Sequence, residues 1–307
     1  MGFGVNPRVS VIVPAYNEED NIEPLLAELA SGLDSSYEVI IVDDGSTDRT
    51  FAIASKARAR YPLLQVCRLQ RNQGKTAAIL AGAEIARGEI ISVFDADLQF
   101  APEDVVKQVA RLDAGSDIVT GRKVGRYEKR AVSALYNWLA RRLFGLKVRD
   151  INALKTFRRE ILDEIHLRKD WHRYLVPLAA ARGFRVAEVD VTLRPRHAGT
   201  AKYSGRKRIL IGLLDLVAVA FQLSFMRKPM LWFGTLGMLA LGLGFATGIL
   251  AIVLRLLGHG FRPLLYLVML LTVSGIVFFA AGFLGEWLAG VTDRVERVEK
   301  LLRRRKG

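Results

Sequence analysis

The chain has 307 residues, 51% of them hydrophobic, and a formal net charge of +14, with a pI of about 10.1. This length allows one large domain or two modest ones, and the positive balance favours phosphate-rich partners: nucleotides, anionic lipid or nucleic acid. No helix-turn-helix, zinc or RNA-binding signature occurs, which argues against nucleic acid, and a lone cysteine, Cys67, rules out an intrachain disulfide.

The N-terminal segment lacks the apolar stretch of a signal peptide, and Asn6 stands where a myristoylation pattern needs Ser or Thr. Strands are expected at Arg8–Val13, Tyr37–Val42, Leu64–Leu69, Glu89–Phe94 and Asp117–Thr120. Amphipathic stretches near 19–32, 48–60, 75–86 and 102–113 separate them. That alternation predicts an α/β fold with a mostly parallel sheet flanked by helices. Cys67 falls within one of these apolar runs and reads as a packed thiol. Helices near 129–144 and 171–182 and a strand near 185–193 follow.

In such folds ligands bind beyond the carboxyl ends of the strands, and the polar motifs fall there. Pro14-Ala15-Tyr16-Asn17-Glu18 follows the first strand, with no Gly-rich dinucleotide turn. Tyr16 could stack on a base and Glu18 could take a ribose or base hydrogen bond. A Pro-started turn before a helix explains the same residues structurally. Asp43-Asp44-Gly45-Ser46-Thr47-Asp48 follows the second strand. Ser46 or Thr47 can cap a helix, but capping does not require two adjacent carboxylates. Arg71-Asn72-Gln73-Gly74-Lys75-Thr76 resembles half a P-loop, yet Leu69 replaces the first glycine, so an ATPase is rejected. Lys75 at a helix start could still meet a diphosphate. After the fourth strand, Asp95-Ala96-Asp97-Leu98-Gln99 gathers hard oxygen ligands suited to Mg²⁺ or Mn²⁺ holding a diphosphate.

Beyond residue 204 the character changes. Residues 229–254 and 263–285 contain no charged side chain, and either run exceeds the roughly 20 residues that span a bilayer. Residues 209–226 are also apolar, but Arg208, Asp215 and Gln222 recur every seven residues. On a helix they form one stripe, drifting only about 20° per heptad. Turning that stripe to water in an interface helix avoids the roughly 2.5–3.5 kcal/mol cost of Asp at mid-bilayer. Basic residues around it (Lys202, Arg206, Lys207, Arg227, Lys228) suit an anionic membrane surface. Two spans return the tail to the side of the first domain. The tail carries seven basic residues from Arg294 to Lys306, which the positive-inside rule keeps cytoplasmic. The expected organisation is a domain over 1–203, an interface helix over 204–228, a transmembrane hairpin over 229–290 and a basic cytoplasmic tail over 291–307. Both termini are then cytoplasmic, in a multi-pass protein of the cell membrane.

PAYNE, DDGSTD, RNQGKTAA and DADLQ, in this order, resemble the inverting glycosyltransferases of family 2, with the GT-A nucleotide-diphospho-sugar transferase fold. WHRYLVPLAAARGFRVAEVDVTLRPRHAGTAKY, the two spans and GEWLAG are similar to the polyprenyl-phosphate subgroup, the dolichyl- and undecaprenyl-phosphate sugar synthases. The resemblance implies that Pro14, Ala15, Tyr16, Glu18, Asp43, Asp44, Ser46 and Lys75 bind the nucleotide-diphosphate sugar, with UDP preferred over GDP. It implies that Asp95, Ala96, Asp97 and, through its amide oxygen, Gln99 hold nucleotide and metal. It implies a lipid-phosphate site at Arg122, Arg130, Ser133, Lys202 and Tyr203, and a sugar pocket lined by Asp150 and Asn152. Two departures stand out. Ala201 replaces the usual Ser, and the segment Asp150–Phe157 is shortened. His166, His172 and His197 show no metal spacing, although His197 beside Arg196 could approach a phosphate.

The implied reaction is inverting transfer of a sugar to a polyprenyl phosphate. An anionic phosphate acceptor needs positioning and charge screening rather than a general base, and the Glu-Asp base dipeptide of hydroxyl-using relatives is absent between 160 and 180. The rivals are a membrane glycosyltransferase acting on a lipid or polysaccharide hydroxyl, and an inactive nucleotide-sugar-binding scaffold. The sugar, the polyprenol length and self-association stay open.

Overall fold

In a computed structural model of the chain, residues 6–124, 137–138, 141–142, 144–165, 167–195, 197, 218–219, 221 and 228–304 are described. The helix expected near 129–144 therefore lies largely outside the described residues. So do the interface helix, apart from residues 218–219, 221 and 228, and the residues Arg130, Ser133, His166, Arg196, Lys202 and Tyr203. The chain divides into two compact units, residues 1–214 and 215–307.

The first unit is built on a seven-stranded sheet in the order β3-β2-β1-β4-β6-β5-β7. Its strands are β1 Val9–Ala15, β2 Tyr37–Asp43, β3 Leu64–Arg68, β4 Ile90–Val93, β5 Ile118–Val124, β6 Lys155–Arg158 and β7 Val186–Thr192. Only β6 runs against its neighbours, pairing antiparallel with both β4 and β5. The helices are α1 Glu19–Gly32, α2 Thr50–Ala57, α3 Lys75–Ile85, α4 Pro102–Asp113, α5 Glu160–Glu164 and α6 Leu175–Ala181, with a short 3-10 turn at Trp171–Tyr174.

The central strands are apolar on both faces because helices cover both. Val11, Ile12 and Val13 of β1 and Ile40, Ile41 and Val42 of β2 are fully buried. The mostly parallel sheet was legible from the strand–helix alternation, whereas β6 was not expected. Lys155-Thr156-Phe157-Arg158 is only four residues long and carries a charge at each end, too little for a period-two pattern to register. Its register is held by buried hydrogen bonds. Thr156 Oγ1 bonds Ser92 Oγ of β4 at 2.9 Å and Gln108 Oε1 of α4 at 2.7 Å, and Gln108 Nε2 donates to the Leu154 carbonyl at 3.1 Å. A second buried network joins β1, β2 and β3. Glu38 accepts from Ser10 at 2.6 Å, from Gln65 at 2.8 Å and from the Arg87 N–H at 2.7 Å. Burial alone would raise the Glu38 pKa, but these donors outweigh it and hold the carboxyl below its ordinary range.

The second unit contains α7, Pro229–Leu256, and α8, Arg262–Arg304. Both hold a stretch long and apolar enough to cross a membrane. Their large apolar side chains stand outward: Phe245 is 73% exposed and Trp287 69%. Core helices of a water-soluble protein would bury these residues, so lipid is the environment that fits. The two helices touch through glycines. A Cβ placed on Gly275 would lie 2.7 Å from the Leu241 side chain and 2.9 Å from the Gly237 carbonyl oxygen. This is the small-residue contact that lets membrane helices approach closely. At one end Glu286 accepts the Met230 N–H at 3.2 Å, satisfying an open donor in the first turn of α7.

Gly275→Leu must force α7 and α8 apart at this contact. A loss of about 1–3 kcal/mol is expected, read as a lower melting temperature in detergent. Gly290→Leu, where a Cβ meets nothing within 4 Å, should leave it unchanged. Equal melting of the two variants would contradict the packing.

Candidate functional site

The carboxyl ends of β1, β2 and β4 lie side by side, since β1 pairs in parallel with both β2 and β4. The loops leaving these strands are cross-linked by their own polar groups. The Asp44 N–H donates to the Ala15 carbonyl at 2.8 Å, and Pro14 and Ala15 end β1 directly beside Val42 and Asp43. Asn17 sits in the left-handed region at φ 53°, a conformation Asn tolerates better than most residues. It is held there because its N–H donates to Ser46 Oγ at 2.9 Å while its side-chain oxygen accepts the Thr47 N–H at 2.9 Å. The Glu18 N–H donates to Thr50 Oγ1 at 2.8 Å, and its carboxylate accepts from Asn21 at 2.6 Å. Tyr16 is half-buried on the same loop.

Asp43 and Asp44, adjacent in sequence, have different local tasks. Asp43 is fully buried; it accepts the Ser46 N–H at 3.0 Å and lies 3.0 Å from Arg68 Nε. Asp44 points the other way. Its two oxygens accept the N–H groups of Gln73 at 2.7 Å and Gly74 at 2.8 Å. The carboxylate of the second loop therefore pins the third loop at the start of α3. Gly45 between them has φ +69°, and a Cβ there would lie 2.6 Å from the Arg71 backbone, so only glycine lets the two loops close on each other.

Pinning that loop sets Lys75 at the first position of α3, where its ammonium ion-pairs with Asp95 just beyond β4. Asp95 is half-buried. Burial would raise its pKa, but the charge and hydrogen bond of Lys75, with Lys155 further off, hold the carboxyl below its ordinary value. Ala96 and Asp97 are buried. Asp97 Oδ1 accepts the Gln99 N–H at 3.2 Å across a turn with Leu98 at φ 56°, and its carbonyl accepts the His197 N–H at 3.4 Å. Gln99 Nε2 donates to the Arg194 carbonyl at 3.4 Å, so its amide oxygen is not the atom spent there.

The donor set fits a divalent cation. Two carboxylates, Asp95 and Asp97, stand two residues apart just beyond β4, and Asp95 already carries a cationic group. Hard oxygens of this kind, completed by substrate phosphates, are the usual Mg²⁺ arrangement. Among the described residues no group of three or more His, Cys, Asp or Glu side chains is placed to hold a metal ion by itself.

Arg122 lies on β5 opposite Asp190 of β7. Its Nη2 donates to Asp190 Oδ2 at 2.6 Å, with Glu188 at 3.9 Å. Asp150 is buried, with Lys123 at 3.8 Å and the Asn152 N–H on its Oδ1 at 2.9 Å. The crevice thus brings together Pro14, Ala15, Tyr16, Glu18, Asp43, Asp44, Ser46, Lys75, Asp95, Ala96, Asp97 and Gln99. Arg122 and Asp150 stand on the far side of β6, and Arg130, Ser133, Lys202 and Tyr203 lie outside the described residues. Two residues of this neighbourhood carry no motif of their own. Lys155 lies within the shortened segment Asp150–Phe157. His172 stood far from Thr76 in sequence, yet its Nδ1 lies 2.9 Å from Thr76 Oγ1.

The profile of glycosyl transferase family 2 matches residues 10–166. A dodecaprenyl-phosphate galacturonate synthase of Rhizobium johnstonii is 35% identical, covering 92% of this chain and 88% of that protein. An undecaprenyl-phosphate 4-deoxy-4-formamido-L-arabinose transferase of Klebsiella pneumoniae subsp. pneumoniae is 30% identical, over 94% and 90%. Among solved structures, glucosyl-3-phosphoglycerate synthase of Mycobacterium tuberculosis, in complex with Mg²⁺ and UDP, aligns with a TM-score of 0.54. It is 21% identical, over 69% of this chain and 80% of that one. That likeness establishes the GT-A-like fold.

His172 yields a pH test. Burial, then the charges of Lys75 and Lys155, push its pKa from 6.5 to about 2. The folded protein keeps the imidazole neutral, while the unfolded chain takes up a proton below pH 6.5. Stability is therefore fully present above that pH and falls as the pH drops, by at most about 1.4 kcal/mol per unit. His172→Gln, which retains a hydrogen-bonding group for Thr76, should flatten the acid limb of a melting-temperature profile. An unchanged limb would contradict the assignment.

Proposed function

The chain belongs to glycosyl transferase family 2, and on that premise we propose that it transfers a sugar, with inversion, from a nucleotide-diphosphate sugar to a polyprenyl phosphate at the cytoplasmic face of the membrane. The observation that carries this reading is the nearly full-length similarity to two enzymes named for polyprenyl-phosphate acceptors, which extends through the two apolar helices.

A phosphate oxygen of the acceptor attacks the anomeric carbon as the bond from that carbon to the diphosphate oxygen breaks. The diphosphate leaves with the electron pair. The attacking group is already an anion, so no residue need remove a proton; the protein's task is to align the reactants and offset negative charge. Pro14, Ala15, Tyr16, Glu18, Asp43, Asp44 and Ser46 form the nucleotide side of the crevice. Asp95 and Asp97, with the Gln99 amide oxygen, would hold Mg²⁺ or Mn²⁺, which when bound stabilises charge on the departing diphosphate. Lys75, ion-paired with Asp95 at the start of α3, would share that carboxylate with the cation and offset charge on the same phosphates. Arg122, Arg130, Ser133, Lys202 and Tyr203 receive the acceptor phosphate. For Arg122 this means exchanging Asp190 for the phosphate as its partner. UDP is the preferred nucleotide over GDP. The catalytic domain spans 1–203, the interface helix 204–228, the hairpin 229–290 and the cytoplasmic tail 291–307.

The test is a panel of nucleotide sugars offered with Mn²⁺ and a short polyprenyl phosphate, the lipid then analysed by mass spectrometry. A glycosylated lipid phosphate is expected from one donor. Product on a free polyprenol but never on its phosphate would overturn the acceptor. Asp97→Ala should abolish turnover with little change in melting temperature, and a fully active variant would remove the metal assignment.

A further inference from the structure

Lys155 is the chemically competent side chain near the crevice that the reading above leaves unused. It opens β6, at the edge where the parallel strands end, and its Cα partners are Val93 of β4 and Thr120 of β5. It is 7% exposed. The register that places it there is fixed. Thr156 is tied to Ser92 and Gln108, and a slip of one residue would exchange the faces on which Thr156 and Lys155 project.

Among the described residues the ammonium makes one hydrogen bond, to the Ala153 carbonyl at 3.2 Å. Among the described residues no carboxylate lies within ion-pairing distance of it, because the nearby acids are held by other lysines: Asp95 by Lys75 and Asp150 by Lys123. Burial and the charge of Lys75 push its pKa from 10.5 to about 7, against the weaker pull of Asp150 and Asp95. A buried cation with donors to spare is costly to maintain, and removing such a charge often stabilises a fold. A site retains one when a ligand supplies the missing counter-charge.

We propose that Lys155 is a phosphate-binding catalytic residue, whose ammonium takes an oxyanion at the reaction centre. That oxyanion comes either from the donor's diphosphate or from the acceptor phosphate. Both carry the same chemistry: oxygens with full negative charge that accept charge-assisted hydrogen bonds. The inference rests on the transfer reaction proposed above. It assigns a role to the shortened segment Asp150–Phe157, where the strand starts immediately after the Asp150 turn and carries the lysine to the crevice.

Lys155→Met keeps most of the length of the side chain and removes the charge. The variant should melt at the same or a higher temperature than the wild type, while kcat/KM falls about 100-fold or more, the scale of losing one oxyanion donor. Lys155→Arg should recover part of that loss. Calorimetric titration with UDP and Mn²⁺, without acceptor, separates the two sources. Weakened UDP binding places the oxyanion on the donor, whereas unchanged binding with a raised KM for polyprenyl phosphate places it on the acceptor. Two results overturn the proposal: kcat/KM within a few-fold of wild type, or a lowered melting temperature with kcat/KM preserved, as a structural counter-ion would give. A wild-type enzyme that glycosylates no lipid phosphate refutes the acceptor reading instead. The UDP titration then decides alone, and unchanged affinity in Lys155→Met overturns the role of Lys155.

Discussion

The constraint on which the site depends is the crowding of carboxylates where β1, β2 and β4 end together. Like charges gathered at one sheet edge repel unless each is given its own donor. Here the donors are specific. Asp43 accepts the Ser46 N–H and ion-pairs with Arg68, Asp44 takes the N–H groups of Gln73 and Gly74, and Asp95 takes Lys75. Because Asp44 holds the loop that begins α3, it also decides where Lys75 stands, and hence which carboxylate Lys75 meets. The crevice is a chain of neutralisations in which the Asp95 pair comes last. That pair is the one a bound cation and a diphosphate would reorganise.

On the other side of β6 the same principle recurs with the sign shifted. Arg122 is matched by Asp190 and Glu188, and Lys123 by Asp150, while Lys155 lies between the two groups of ion pairs and, among the described residues, has only a carbonyl for a partner. Positive charge in excess of its counter-ions is what the proposed transfer would ask of the protein, since a diphosphate donor and a phosphate acceptor would both arrive as anions. The second unit solves a separate problem. Its helices expose apolar side chains outward and approach one another through Gly237 and Gly275, so their association relies on close backbone contact rather than on burial from water.

The sheet and its crevice were largely legible beforehand because strand–helix alternation and the position of polar motifs at strand ends are local patterns. The five N-terminal strands and helices α1 to α4 lie within a few residues of the expected positions; β5 runs on to Val124 and so carries Arg122 on the strand itself. What escaped was non-local. β6 has too few residues for periodicity, and its place between β4 and β5 is set by Thr156, Ser92 and Gln108, which lie in three separate segments. His172 meets Thr76 only because the turn at Trp171–Tyr174 folds back on the start of α3. The counter-ions of Arg122, Glu188 and Asp190, are 66 and 68 residues away in sequence, so its pairing has no local signal.

By itself, then, the sequence determined the class of sheet, the strand ends at which the polar motifs stand and the two apolar spans. Each of these follows from composition or spacing within a short window. The tertiary structure decided how the charges pair: that Asp44 works as a loop anchor, that Lys75 rests on Asp95, that Arg122 is already engaged, and that Lys155 is buried with donors in reserve. Pairing is a matter of distance between side chains from different elements, and no spacing along the chain encodes it. It is settled only when β6 slots between β4 and β5 and α3 docks on the strand ends.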